Sequence, residues 1–185
     1  MKKQLSILAL ALTLPAFAWG QEPTTPTAAA SAKPGPMLAF NLAAYGHLKG
    51  LILRSAEKMP EENFGFKPTE GIRTFGQLLG HVADAQYLFA SKVLGEAGPN
   101  PKVEQTVTSK AGLIAALKEA FAYGDKAYAS LTDASANEAI KLFGNDTPKL
   151  GVMEVNSIHI MEHYGNLVTY MRMKNIVPPS SEAGH

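Results

Sequence analysis

The chain has 185 residues, which is the size of one domain with a core of ordinary volume. Its 17 basic and 16 acidic residues nearly cancel, and no basic cluster occurs beyond the first three positions, which excludes an electrostatic footprint for nucleic acid or an anionic surface. There is no cysteine, so disulfides, a thiolate nucleophile and sulfur ligands are excluded, and a metal site has to be built from His, Asp or Glu.

Residues 1–20 have the layout of a secretory signal peptide. Lys2 and Lys3 precede an apolar run from Leu5 to Leu14, followed by small residues spaced for cleavage near Ala16 to Gly20. Pro15 breaks the run, which is shorter than the roughly 20 residues a spanning helix needs, so no membrane span is expected after cleavage. The expected location is therefore the periplasm or the exterior of a bacterium. Residues 21–36 are rich in Pro, Thr, Ala and Ser and contain hardly any large apolar group, so they read as a disordered linker. The folded domain is expected over residues 37–179, with a polar tail at 180–185.

Within the domain the spacing predicts four helices. The first runs from about Met37 to Lys58 and stops before Pro60, because a residue preceding proline is pushed out of the helical region. The second opens on a Thr74-x-x-Gln77 capping box, carries apolar residues at 75, 78, 79, 82, 85, 88 and 89, and ends near Gly95 or Gly98. The third runs from about Ser109 to Leu131 on a stripe of Leu113, Leu117, Ala120, Phe121 and Tyr128. Gly112 and Gly124 weaken it, each costing about 1 kcal/mol against Ala inside a helix. A short strand is conceivable at residues 139–143, AIKLF. The fourth helix runs from about Val152 to Asn175, ahead of Pro178 and Pro179. Four such helices predict an all-α four-helix bundle, an architecture that builds metal sites from side chains on facing helices.

The fourth helix carries HIMEH, with His159 and His163 four apart on the ridge Val155, His159, His163, Leu167, Met171. Residues four apart share a face, so both imidazoles are expected to point inward among apolar neighbours. His81 sits on the apolar stripe of the second helix, three after Leu78 and four before Ala85. Three inward imidazoles on facing helices are the donor set expected for zinc or a similar divalent ion, with a position left open to water or substrate. A lone histidine on an apolar stripe is more often hydrogen-bonded core, so the spacing by itself leaves both readings open. The pair is not a zincin motif, since Ile160 stands where H-E-x-x-H has Glu. His47 fits a surface or packing role, and His185 lies in the tail. Asp84, three after His81, and Glu162, three after His159, are placed to bond the second ring nitrogen of each ligand.

TFGQLLGHVADAQYLF, the later HIMEHYGNLVTYMRMKNIVPP and the connector MPEENFGFKP resemble the DinB-like superfamily of bacterial metal-binding four-helix bundles, over most of residues 40–179. The resemblance implies a ligand triad at His81, His159 and His163. The more frequent family pattern places a basic residue, Gly and Gln after the last ligand, where this chain has Tyr164, Gly165 and Asn166. Some relatives are thiol transferases or thiol-dependent isomerases, in which the metal lowers the pKa of a bound low-molecular-weight thiol. The family is mostly cytosolic, whereas this chain reads as exported.

Two functions follow as expectations. One is a metal-dependent transferase or hydrolase for a small substrate, with zinc or nickel on the three histidines. The other is a secreted helical binding module whose metal is structural or absent; a homodimer is compatible with either.

Overall fold

The computed structural model describes residues 33–182. The expected signal peptide at 1–20, most of the linker at 21–36 and His185 lie outside the described residues. In chain order the elements are α1 (Pro36–Lys58), α2 (Phe75–Leu94), the single turn α3 (Val103–Thr106), α4 (Lys110–Ala129), the strands β1 (Ala139–Leu142) and β2 (Asn145–Pro148), and α5 (Lys149–Met173). Among the described residues no helix is long and apolar enough to cross a membrane.

Local chemistry sets the helix ends. Gly35 N–H donates to both carboxylate oxygens of Asp133 at 2.9 Å, and Pro36 occupies the first turn of α1, where no amide proton is needed. Met59 leaves the helix in an extended conformation ahead of Pro60. The capping box of α2 is formed in both directions, Gln77 N–H to Thr74 Oγ1 at 3.2 Å and Thr74 N–H to Gln77 Oε1 at 2.9 Å. Gly95 ends that helix in the left-handed conformation. Ser109 caps α4 by accepting from Gly112 N–H.

Each of α1 and α2 packs against both α4 and α5, so the four long helices are arranged around the core in the order α1, α4, α2, α5. The buried seam of α1, Leu38, Asn41, Tyr45, Leu48, Ile52 and Ser55, advances by three and four residues, the spacing that keeps one narrow face inward. Fully buried Ile52, Phe75, Leu79, Leu117, Phe121, Ile160 and Leu167 each contribute about 1.5–3 kcal/mol by leaving water.

At the centre of this apolar core the four helices meet through polar atoms. Gln86 on α2 and Asn156 on α5 exchange two amide hydrogen bonds, at 3.0 and 2.9 Å. The Tyr45 hydroxyl of α1 lies 3.3 Å from Gln86 Oε1 and from the Phe121 carbonyl oxygen of α4. Burial pushes that phenol's pKa upward, so it stays a donor. Gly124 makes room for the hydroxyl, because a Cβ at that position would collide with it.

The all-α expectation needs one amendment. The segment expected as a single strand at 139–143 is half of an antiparallel hairpin that pairs Ala139 with Pro148 and Leu142 with Asn145. Its two-residue turn, Phe143 and Gly144, has φ of 48 and 87, the positive values that a tight hairpin requires. The tail is not wholly free either. Ser180 N–H donates to the Tyr164 hydroxyl at 2.9 Å and Arg172 to Ser181 Oγ at 2.8 Å, which docks residues 179–181 on α5.

Replacing Asn156 with Leu strands the buried Gln86 amide and is expected to lower unfolding free energy by about 1–3 kcal/mol, measured by urea denaturation of chelator-treated protein. Adding Gln86→Leu should recover part of that loss, since an apolar pair leaves no amide unsatisfied.

Candidate metal centre

The amide pair also sets the register of the two helices that carry the histidines. Gln86 faces Asn156 while His81, five residues earlier on α2, faces His159 and His163, three and seven residues later on α5. The helices are therefore antiparallel, and the histidines stand about 7–8 Å along the axis from the amides, at 1.5 Å per residue. His81 and His159 are half-buried and His163 is buried.

The His159 Nε2 lies 3.0 Å from His81 Nε2 and 3.0 Å from His163 Nε2, and the three ligand nitrogens all lie within 4.8 Å of one another. Each imidazole nitrogen has one in-plane orbital that holds either a proton or a lone pair. A single nitrogen facing two others cannot satisfy both by hydrogen bonding, so the cluster is not explained as hydrogen-bonded core. Three converging lone pairs fit a divalent cation, and these three side chains can hold a metal ion.

His81 alone has its second nitrogen bound. Its Nδ1 lies 3.1 Å from Glu104 Oε2 on α3, and because a carboxylate only accepts, the proton sits on Nδ1 and the lone pair on Nε2 faces the cluster. The Nδ1 atoms of His159 and His163 are buried without a hydrogen-bond partner. The other oxygen of Glu104 accepts from Arg73 Nε at 2.8 Å.

Two expectations about carboxylates are corrected here. Asp84 does not bond His81. Its oxygens accept from Val103 N–H at 2.8 Å and Glu104 N–H at 3.1 Å, the first amides of α3, which have no partner inside so short a helix. Glu162 does not bond His159; it is exposed and faces a cavity beside His163. The carboxylate that matters, Glu104, lies in a stretch with no helical period. Gly80 lets it approach, since a Cβ there would stand 2.6 Å from Glu104 Cα. His47 is exposed on α1, consistent with a surface role.

Burial pushes the His159 imidazolium down to about 4, helped by the neighbouring His163 and His81 and by Arg73. His163 is lowered for the same first reason, with His81 and Arg73 adding to the effect and Glu162 and Glu104 opposing it. Neutral imidazole, the form that binds metal, is thus favoured at neutral pH.

The cavity beside His163 has a volume of about 590 Å³ and is walled by Arg73, Gln77, Glu104, Glu162, Asn166 and Tyr170, among others. A second cavity, of about 480 Å³, shares Gln77 and Glu104 with it but contains none of the histidines. Of the residues following the last ligand, Asn166 lines the first cavity, whereas Tyr164 is buried and its hydroxyl holds Ser180.

Comparison with known proteins agrees with this architecture. The family model of the DinB superfamily matches residues 49–167. The Bacillus subtilis protein YjoA is 29% identical over 126 residues, 63% of this chain and 77% of that protein. The crystal structure of a DinB-like protein from Bacillus cereus matches with a TM-score of 0.68 at 16% identity, covering 75% of this chain and 93% of the other. That of YjoA matches at 0.61 and 17%, covering 78% and 99%. A mycothiol-dependent maleylpyruvate isomerase matches at 0.57 and 19%, covering 70% of this chain and 60% of its own. At these identities the structures share the fold.

Two outcomes test the geometry. Between the ordinary histidine value of 6.5 and about 4 the unfolded chain binds protons that the folded chain does not. Chelator-treated protein should therefore lose stability as pH falls through that window and level off below it, and melting curves of His159→Gln should show a flatter slope. Glu104→Gln should weaken divalent-cation binding about 10–100-fold in a competition titration while leaving the helical circular dichroism unchanged.

Proposed function

The chain belongs to the DinB superfamily, and from that membership we propose that it is an exported metal-dependent transferase or hydrolase acting on a small substrate. His81, His159 and His163 hold the divalent cation, zinc or nickel, to which imidazole is suited. The observation that carries this reading is the convergence of three imidazole nitrogens beside a cavity, around a His159 Nε2 that no single hydrogen bond can satisfy. The location rests on the signal-peptide layout of residues 1–20.

A divalent ion at such a centre supplies Lewis acidity toward a thiol, a water molecule or a carbonyl oxygen. The histidines carry no charge of their own, so they leave the ion's charge undiminished. Glu104 keeps the Nδ1 proton of His81 in place and so fixes the donor tautomer on the ligand side. Glu162, which makes no hydrogen bond or ion pair among the described residues, stands on the cavity wall as the acceptor for the proton released by an incoming nucleophile. Leu167 and Met171, fully buried below His163, keep water out on the bundle side. The mycothiol dependence of one fold relative brings thiol transfer into the set of reactions alongside hydrolysis. A closed coordination sphere would favour the alternative, a binding module whose metal is structural or absent. Among the described residues, the cluster of metal-ligating side chains consists of the three histidines alone.

Elemental analysis of mature protein purified without a His-tag should find about one divalent ion per chain, as expected for a single three-histidine centre. A chelator should lower its melting temperature, and His163→Ala should abolish both the metal content and the chelator effect. Protein with no stoichiometric metal, or a His163→Ala variant that melts like the parent in both conditions, would refute the proposal.

A further inference from the structure

The cavity beside His163 offers its contents one fixed cation. Arg73 precedes α2, and its carbonyl oxygen accepts from the Tyr170 hydroxyl of α5 at 2.9 Å, while its Nε donates to Glu104 at 2.8 Å. The residue is thus held at its backbone carbonyl and at Nε, although 42% of the side chain is exposed. Its two terminal nitrogens have no hydrogen-bond partner among the described residues.

We infer that the cavity binds a small carboxylate-bearing molecule, with the carboxylate on the terminal nitrogens of Arg73 and the reacting group beside the histidines. The inference rests on the metal reading above and names the substrate class for it. A guanidinium presents paired N–H donors in a plane that matches a carboxylate, and the bond from Nε to Glu104 restricts it beforehand, which lowers the entropy lost on binding.

Charge on the cavity wall favours the same ligand. Glu104 is shared between Arg73 and His81, so Glu162 is the only wall carboxylate without a partner. A divalent ion together with Arg73 exceeds Glu104 together with Glu162 by one positive charge, which an anionic ligand neutralises. Gln77 and Asn166 add hydrogen-bond donors, while Leu78 and Ile72 supply an apolar wall. A volume of about 590 Å³ suits a small molecule.

Two probes isolate the carboxylate: 3-mercaptopropionate and 3-mercapto-1-propanol share a thiol on the same three-carbon chain and differ at the far end. Titrated into the cobalt(II)-loaded full chain and followed by the visible absorption of the ion, the acid should bind at least about tenfold more tightly than the alcohol. Arg73→Gln should bring the ratio of the two affinities close to one, and Arg73→Lys, which keeps the charge without the fork, should retain part of it. A general loosening of the centre when Glu104 loses its partner affects both probes alike and cancels in the ratio. Equal affinities in the parent protein, or a preference that survives Arg73→Gln, overturn the inference. Failure to take up cobalt overturns the metal reading beneath it instead.

Discussion

Two amide side chains carry the register on which the histidine centre depends. Gln86 and Asn156 can exchange their hydrogen bonds, at 3.0 and 2.9 Å, in only one alignment of α2 with α5. A slide of one residue turns a helix by about 100° and carries a histidine off the shared face. The same turn would carry buried apolar residues such as Ile160 and Leu167 off the core, so packing opposes it as well. A buried amide left without a partner costs about 1–3 kcal/mol, so the polar pair adds a directional penalty to the wrong alignment. Tyr45 extends the same control to α1 and α4, through its hydroxyl and the Phe121 carbonyl.

What could be read from the sequence divides along the range of the forces involved. His159 and His163 were placeable on one face because four residues in a helix amount to about one turn, and Thr74 with Gln77 announced the start of α2 through contacts three residues apart. α3 could not be read this way. Its four residues have no period, and Lys102 enters it with φ of 53; what holds it is Asp84, 19 and 20 residues earlier in the chain. The same long-range bond explains why Asp84 does not serve His81: the first amides of a one-turn helix have no internal acceptor and take both oxygens. The second strand of the hairpin, NDTP, is polar, and it is paired only because the Phe143-Gly144 turn folds it back on β1. His47 was ambiguous because both flanks of α1 are apolar, and it is exposed because the buried seam runs through Tyr45 and Leu48 on either side of it.

The electrostatics of the centre form one short chain, from Arg73 through Glu104 to His81. One carboxylate thereby serves two purposes, fixing the tautomer of His81 and steadying a guanidinium on the cavity wall. The other two histidines have buried, unpartnered Nδ1 atoms and rely on packing alone for their orientation. The three histidines are therefore unequal: His159 and His163 sit on a helix packed into the core along one face, and His81 is oriented by a carboxylate from α3.

That inequality bears on the local stability of the cluster. α3 is one turn long and is pinned by Asp84 and fitted against Gly80, whereas α2 and α5 each bury one face along most of their lengths. Opening α3 sacrifices a handful of bonds and little apolar burial, so it belongs to the cheapest class of native-state fluctuation and leaves the bundle intact. In the open form His81 keeps its position but loses the acceptor that makes it a good donor. A local opening of α3 therefore reaches the histidine cluster without melting of the domain.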